Sequence, residues 1–460
     1  MTPLASSAKA TLPPTDFVPA PYDGPLRDEV LALRKKYLMP GILTYYQEPL
    51  LISQGHMQYV WDEKGKRYLD AFAGVVTVSV GHCHPHVVKR VREQVGKLQH
   101  TTTLYIHPHV GQLAQKLAEK MPAGSNLENT YFTNSGSEAN EIAILTAREH
   151  TGNAEVISLR GSYHGGTQGT MGLVAVGTWK YPSNPTVDVK HALPAYCYRC
   201  PLGLSYPSCD IKCARDLENL IQTETSGQIA AFIAEPIQGV GGVVTPPPEY
   251  FQIVYDIVRR YGGLCIADEV QTGLGRTGNK FWGFENWGVV PDAVTMAKGL
   301  GGGTAIGAFV TRPEIAAALS HRVHFNTFGG NPVAMTYGLA TLEVIDSEGI
   351  QENALRIGTH LKSRLLELQD KHALIGDVRG MGLMLGVELV RDRGTKEPAT
   401  AETVQILEMA KDRGLLLGKS GLFGNVLRIK PPMCITKDDA DFVVDCLDEN
   451  LHDAALARQS

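Results

Sequence analysis

The amino-acid sequence predicts an α/β fold built around a mostly parallel sheet. Between about residues 131 and 311, short apolar runs alternate with segments of helical periodicity, and this order favours parallel strands connected by helices. Two neighbouring apolar runs end on charged residues, at Asp268 and at Lys298. Ligands bind at the carboxyl ends of the strands in open α/β sheets, so these two side chains are expected to face one crevice.

The individual elements follow from the same patterns. In this region we expect a strand leading into a helix over 131–150, strands at 155–159, 230–235, 262–270, 293–297 and 305–311, and a helix at 250–261. Beyond residue 332 we expect helices at 333–347, 351–371 and 400–413, with strands at 384–389 and 426–429. We therefore expect a large domain at 76–335 and a smaller α+β domain at 336–460. The N-terminal segment at 26–75 is expected to pack with the smaller domain.

Composition limits the kinds of partner. The chain has 460 residues, 43% of them hydrophobic, which is enough for a large and a small domain. A net charge of −5 without a basic stripe argues against nucleic acid. No apolar run approaches the roughly 18 residues that span a bilayer, so no membrane partner is expected.

The first 25 residues are rich in Pro, Ala, Ser and Thr, and Lys9 is their one basic residue. They lack the apolar core of a signal peptide and the arginines of a transit peptide. We therefore expect a flexible arm over residues 1–25 and a cytoplasmic location.

Asp268 and Lys298 together indicate a cofactor. Burial favours the neutral form of a lysine, and a neutral lysine is a nucleophile that forms Schiff bases with carbonyl groups. A carboxylate at the neighbouring strand end could pair with a ring nitrogen. These are the two groups that pyridoxal 5′-phosphate (PLP) requires from a protein. Taken alone, Lys298 could equally mark a strand end and reach solvent.

Two further stretches fit such a ligand. Ser135, Gly136 and Ser137 stand at a helix start, where free backbone N–H groups can hold a phosphate; ordinary helix capping by Ser137 with Glu138 is the alternative. Tyr163 and His164 follow a strand and could lie on a flat ring.

Four cysteines cluster at Cys197, Cys200, Cys209 and Cys213, with two, eight and three residues between them. This spacing could hold zinc or an iron–sulfur cluster, or it could belong to a loop of reduced thiols. The segment 273–278 reads G-x-G-x-x-G, but the irregular aromatic stretch after it does not favour a dinucleotide fold.

The motifs as a set resemble those of class III aminotransferases, which are fold-type I PLP enzymes. From about Tyr45 to the C-terminus the chain carries, in the order found in that family, NSGSEANE, SYHGG, EPIQG, IADEVQTGLGRTG, MAKGLGGG, TFGGNP and LRIKPP. The resemblance implies a large domain with a mostly parallel seven-stranded sheet flanked by helices, a smaller α+β domain, and PLP as cofactor.

The resemblance also implies residue roles. Lys298 would bind the cofactor as a Schiff base and carry the proton, and Asp268 would keep the pyridine nitrogen protonated. Thr327 of the partner subunit would join the phosphate site, which implies a homodimer with composite sites and leaves pairing into tetramers open. The implied cofactor-binding residues are Ser135, Gly136, Ser137, Tyr163, His164, Glu235, Asp268, Val270, Gln271, Lys298 and Thr327, with Val270 and Tyr163 on the two ring faces and Gln271 at the ring hydroxyl.

Substrate residues are implied as well. Arg428 matches the arginine that clamps a substrate carboxylate, and Tyr45 and Val75 would line the substrate side. Members that use 2-oxoglutarate carry a second arginine where this chain has Gly166, and a glutamate where it has Val240. We therefore expect a small monocarboxylic acceptor, pyruvate or glyoxylate, and a donor such as alanine, β-alanine or 3-aminoisobutyrate, used in a ping-pong reaction.

The closest branch by motif is the alanine–glyoxylate and β-alanine (3-aminoisobutyrate)–pyruvate branch. The alternatives are an ω-aminotransferase of the 4-aminobutyrate or ornithine type using 2-oxoglutarate, another PLP activity such as an aminomutase or a decarboxylase, and a non-catalytic metal-binding protein organised by the four cysteines.

Overall fold

The computed structural model describes residues 10–183 and 188–457. Its strands are β1 (Ile52–His56), β2 (Tyr59–Asp62), β3 (Arg67–Asp70), β4 (Asn129–Thr133), β5 (Val156–Leu159), β6 (Val189–Ala192), β7 (Ala231–Ala234), β8 (Leu264–Asp268), β9 (Ala293–Met296), β10 (Gly307–Thr311), β11 (Ile375–Met381), β12 (Met384–Asp392), β13 (Glu397–Pro398), β14 (Leu415–Leu416), β15 (Gly418–Ser420) and β16 (Val426–Ile429).

The helices alternate with these strands through the centre of the chain and dominate its C-terminal part. They are α1 (Arg27–Tyr37), α2 (Ala73–Val76), α3 (Pro85–Val95), α4 (Pro108–Glu119), α5 (Gly136–Thr151), α6 (Gln168–Leu173), α7 (Lys212–Glu224), α8 (Tyr250–Arg260), α9 (Pro313–Ala316), α10 (Pro332–Ser347), α11 (Ile350–Lys371), α12 (Thr400–Asp412) and α13 (Lys437–Ala457). Across the two described ranges, no helix is long and apolar enough to traverse a bilayer.

A seven-stranded sheet forms the large domain, in the order β4-β10-β9-β8-β7-β5-β6. The five strands from β9 to β6 run parallel, as the alternating sequence pattern predicts. Strand β10 runs antiparallel to both β9 and β4, so the sheet is mixed at one side. The strands β4, β5, β7, β8 and β9 all end at the same edge.

Both faces of this sheet are covered, which explains why its strands are continuously apolar. Alternate residues point to opposite faces. On one face, Ile233 and Ile266 belong to the same core as Ile142 of α5. On the other face, Phe232 and Cys265 belong to a core shared with α8 and with the C-terminal domain. The sheet is thereby fixed between helices, and its carboxyl edge is left for a site.

One of two smaller sheets, β1-β2-β3-β14, joins the N-terminal segment to the C-terminal domain. Strands β2 and β3 form an antiparallel hairpin, and β3 then pairs in parallel with β14. The C-terminal sheet has the order β11-β12-β16-β15. Helix α10 runs unbroken through residue 336 and contacts α3 and α4 of the large domain. The boundary predicted between 335 and 336 therefore lies inside a helix.

Residues 10–25 pack on the folded chain, in contrast to the flexible arm expected over 1–25. The Phe17 ring stacks on His56 with centroids 4.4 Å apart, and the Ala10 amide donates to Glu449 at 2.6 Å. Residues 1–9 of that expected arm lie outside the described residues. The composition did not reveal these contacts because one aromatic residue is enough to anchor an otherwise polar stretch.

Candidate active site

The strand ends at the carboxyl edge of the central sheet enclose a cavity of about 200 Å³. Its lining comprises residues at or shortly after the ends of β5, β7, β8 and β9, together with the first two turns of α5, which follows β4. They are Gly136, Ser137, Asn140, Tyr163, His164, Gly165, Glu235, Asp268, Val270, Gln271 and Lys298. Nine of the eleven cofactor-binding residues predicted from the sequence are therefore in one cavity.

Asp268 is held as an anion in the floor of the cavity. One of its oxygens, Oδ2, is 2.7 Å from His164 Nδ1 and accepts from Asn140 Nδ2 at 2.9 Å. The other, Oδ1, accepts from the Val270 amide at 3.1 Å. Burial acts to raise the pKa of Asp268, but the hydrogen bond and charge of His164 and the other two donors outweigh it, so the pKa lies below its usual value.

Lys298 enters the cavity from the adjacent strand end, at a residue with φ of +41°. Burial lowers the pKa of Lys298, and the carboxylates of Asp268 and Glu235 act in the opposite direction. Glu235 is itself buried, and burial raises its pKa against the amides of Gly239 and Tyr163 that donate to it. The site thus has a lysine with a weakened proton affinity beside two carboxyl groups of different acidity.

The first turn of α5 borders the cavity through Gly136 and Ser137. The Ser135 side chain caps this helix by accepting from the Glu138 amide at 3.2 Å, so the cap is Ser135 and not Ser137. The Ser137 hydroxyl instead accepts from the Gly166 amide at 3.1 Å. A Cβ at Gly165 would lie 2.5 Å from that hydroxyl, which shows how closely the backbone approaches the helix start. Gly136 and Ser137 both line the cavity and begin α5, and the first N–H groups of a helix are the ones that bind phosphate.

The predicted substrate residues form a second group beside the cavity. The guanidinium of Arg428 is buried and lies 4.9 Å from the Phe72 ring centroid, and Phe72 stacks on Tyr45 at 5.6 Å. The Tyr45 hydroxyl accepts from the Lys419 amide. Burial lowers the pKa of Arg428, while Tyr45 acts to raise it. Arg428 Nε is buried without a hydrogen-bond partner in the described residues, and it faces the backbone of Gly418 on the neighbouring strand.

A left-handed turn, α2, supports this group. Residues 73–76 all have positive φ, including Val75 at +63° and Val76 at +68°. β-branched residues rarely adopt this conformation. Asp70 stabilises it, because its Oδ1 accepts from the amides of Phe72 and Ala73 at 3.0 and 2.8 Å. Val75 is half-buried in this turn and does not line the cavity described above.

Thr327 stands apart from the cavity of its own chain. It lies in an exposed loop, next to Phe325 and Phe328, which are 44% and 61% exposed. Thr327 is not among the residues that line the cavity of its own chain. Its place in the site of a partner subunit, which the family resemblance implies, therefore stays a prediction.

The four clustered cysteines do not form a metal centre in the described residues. All are free thiols, and no group of three or more His, Cys, Asp or Glu side chains in 10–183 and 188–457 is placed to bind a metal ion. Their segment is instead tied to β12, because Tyr196 and Arg199 both donate hydrogen bonds to the buried Glu388.

Sequence reasoning missed two residues that fix the site. Asn140 bridges Asp268 to Thr295, whose hydroxyl donates to Asn140 Oδ1 at 2.6 Å. Lys430 is fully buried and donates to Gln271 Oε1 at 3.0 Å. A polar residue on the second turn of an apolar helix was the available signal for Asn140. The signal for Lys430 was a lysine that directly follows the buried strand β16, two residues after Arg428.

The fold and the cavity define a PLP-binding enzyme of the aminotransferase kind. The family model for class-III aminotransferases matches residues 44–451, and the chain belongs to that family. It is thus a PLP-dependent aminotransferase. The residues fit the cofactor in this structure: an anionic carboxylate, a lysine and a helix start open to a phosphate face one cavity.

Relatives with known names agree. A protein of Arabidopsis thaliana named alanine–glyoxylate aminotransferase 2 homolog 2, mitochondrial, is 52% identical over 443 residues, which are 96% of this chain and 91% of that protein. The human alanine–glyoxylate aminotransferase 2, mitochondrial, is 44% identical over 465 residues, 97% of this chain and 90% of that protein. A solved Bacillus anthracis aminotransferase superposes with a TM-score of 0.86 at 32% identity and covers 93% of this chain and 98% of its own.

Proposed function

We propose that the enzyme transfers an amino group from alanine, β-alanine or 3-aminoisobutyrate to a small monocarboxylic oxo acid, glyoxylate or pyruvate. One observation carries the substrate class. The guanidinium of Arg428 lies close enough to the cavity for its charge to act on Lys298 and to be acted on by Glu235, whereas Gly166 supplies no second cation. A site with one carboxylate clamp suits monocarboxylates better than glutamate or 2-oxoglutarate. The names of the Arabidopsis and human relatives support this choice.

Bound PLP supplies an aldehyde that condenses with amines and a protonated pyridine ring that withdraws electrons from the amino acid. The anionic Asp268 would hold the ring nitrogen in its protonated form, and His164 and Asn140 would keep that carboxylate ionised and oriented. The start of α5 would bind the phosphate through Gly136 and Ser137. Tyr163 and Val270 would enclose the ring.

Lys298 would hold the aldehyde and then carry the proton between the substrate Cα and the cofactor. Burial lowers its pKa, so the free side chain can act as a base when the amino substrate displaces it. Arg428 would orient the carboxylate of the donor and, afterwards, that of the acceptor. Because one clamp serves both, the oxo product leaves before the acceptor binds, which is a ping-pong order.

The assembly we propose is a homodimer with composite sites. Helix α1 has no buried residue although its sequence is amphipathic, and Leu104, Tyr105 and Ile106 are each more than 70% exposed. Apolar surface of this extent is typical of an interface. The exposed loop with Thr327 would then reach the phosphate site of the partner.

The location in the cell stays a prediction. The names of both relatives above include the word mitochondrial, whereas the N-terminal composition of this sequence led us to expect the cytoplasm. Microscopy of the full-length chain carrying a C-terminal fluorescent tag distinguishes the two compartments.

The test of the proposed activity is turnover of L-alanine with glyoxylate by the purified protein and by Lys298→Ala. We expect wild-type turnover, and a loss of at least about 10³-fold in the variant because both the nucleophile and the proton carrier are removed. Lys280→Ala, at an exposed position in the same domain, serves as the matched control and should keep normal activity. Turnover by Lys298→Ala near the wild-type rate would refute the mechanism.

A further inference from the structure

A fully buried lysine lies behind the cavity. Lys430 is 0% exposed, and no carboxylate of the described residues is within ion-pair distance of its amine. Burial, reinforced by the positive charge of Arg428, lowers the pKa of Lys430 well below its usual value. A buried amine destabilises the fold unless its N–H groups donate hydrogen bonds. The acceptor of the one side-chain hydrogen bond that Lys430 donates is therefore informative about its role.

That hydrogen bond runs to a residue of the cofactor cavity. Lys430 Nζ donates to Gln271 Oε1 at 3.0 Å, and Gln271 lines the cavity whereas Lys430 does not. The amide of Gln271 has one acceptor and one donor end. A donor at the acceptor end directs the other end, Nε2, away from Lys430. Within the described residues, Nε2 donates no hydrogen bond of its own.

The backbone of Gly239 lies close against the whole amide group of Gln271. A Cβ at Gly239 would lie 2.4 Å from Gln271 Nε2, so only glycine leaves room for the amide there. The Gln271 amide is therefore confined by close packing on Gly239 and by its hydrogen bond with Lys430. Confinement of this kind fixes both the position of a polar group and the direction in which it donates.

We propose that Lys430 is a positioning residue that orients the Gln271 amide, so that Nε2 donates to the ring hydroxyl oxygen of bound PLP. The inference rests on the proposed function and on the place at the ring hydroxyl that the family resemblance implies for Gln271, and it adds a determinant of the orientation of this amide. Lys430 acts through Gln271 and does not touch the cofactor. Its effect is to stabilise the deprotonated form of the bound cofactor, because that oxygen carries more negative charge in this form.

The test is a pH titration of the visible absorption band of the PLP-loaded protein, for wild type, Lys430→Met, Gln271→Ala and the double variant. Each single variant should move the midpoint upward by about one pH unit, because a hydrogen bond to a charged group is lost. The double variant should match the singles, since both act through one contact. Lys362→Met is the control, because Lys362 donates to the Gly380 carbonyl away from the cavity, and its midpoint should stay at the wild-type value.

An unchanged midpoint in Lys430→Met beside a shifted Gln271→Ala would overturn the inference, as would additive shifts in the double variant. If Lys430→Met does not fold, Lys430→Gln keeps a donor without the charge and should titrate close to wild type; a midpoint equal to that of Gln271→Ala contradicts the inference. Absence of any visible band in wild-type protein saturated with PLP would instead refute the proposed function.

Discussion

His164 Nδ1 lies 2.7 Å from Asp268 Oδ2, and both side chains are buried. This contact is the main reason that the pKa of Asp268 is lower than usual in a place where burial alone would raise it. The acid strength of Asp268, which we propose faces the cofactor nitrogen, is therefore set by a neighbour on the loop after β5.

Replacing His164 by Phe should weaken catalysis by about tenfold, the effect of losing one hydrogen bond to a charged group. Without the histidine the pKa of Asp268 rises, so the acidic limb of the pH profile of kcat should move to higher pH. His164→Asn keeps an N–H donor and should recover part of the loss. His86→Phe, at an exposed histidine, is the control. An acidic limb that does not move in His164→Phe would contradict the assigned role.

Replacing Arg428 by Lys should raise KM for both the amino acid and the oxo acid, by about tenfold or more, with a smaller change in kcat. A lysine keeps the charge but loses the planar, two-pronged geometry that binds a carboxylate. Steady-state kinetics with each substrate varied in turn measure this effect. Arg356→Lys, on the exposed side of α11, should leave both constants unchanged. Equal KM values in wild type and Arg428→Lys would contradict the proposal that Arg428 binds the substrate carboxylate.

Introducing an arginine at Gly166 should improve the use of 2-oxoglutarate. A Cβ at this residue meets only the Tyr163 hydroxyl, at 3.9 Å, so a longer side chain can be accommodated. We expect Gly166→Arg to lower KM for 2-oxoglutarate by roughly tenfold relative to Gly166→Ala, through a new charged hydrogen bond to its second carboxylate. If the two variants have the same KM for 2-oxoglutarate, the residue at position 166 does not determine which oxo acid the enzyme accepts.

Glu269 should make stability depend on pH. Burial raises its pKa from 4.5 to about 7 in the folded protein, against hydrogen bonds from Thr272, Gly283 and Phe284. The folded state therefore binds this proton more tightly than the unfolded state. The resulting stabilisation is complete below about pH 4.5 and is lost as the pH rises through about 7.

The Tm of the wild type minus that of Glu269→Gln should accordingly decrease between pH 5 and pH 8, by roughly 2 °C or more. Differential scanning calorimetry measures both proteins, and Glu93→Gln, at an exposed position on α3, is the control. A difference in Tm that is constant with pH would mean that Glu269 is ionised throughout.

Much of the fold could be predicted because the parallel strands are buried on both faces and read as short apolar runs. The antiparallel direction of β10 could not, since a strand covered on both sides has the same composition in either direction. The strand-end positions of Asp268 and Lys298 were visible for the same reason as the sheet. Asn140 and Lys430 were not, because their partners are 128 and 159 residues away in the chain. The packed segment 10–25 depends on contacts such as Phe17 with His56, which local composition does not encode.

The most direct test of the account is the absorption spectrum of the PLP-loaded protein, titrated separately with L-alanine, β-alanine and L-glutamate. If the enzyme uses alanine-type donors through one carboxylate clamp, alanine or β-alanine should bleach the violet band of the bound cofactor and glutamate should not. Bleaching by glutamate at comparable concentration would contradict the account and favour an aminotransferase that works with 2-oxoglutarate.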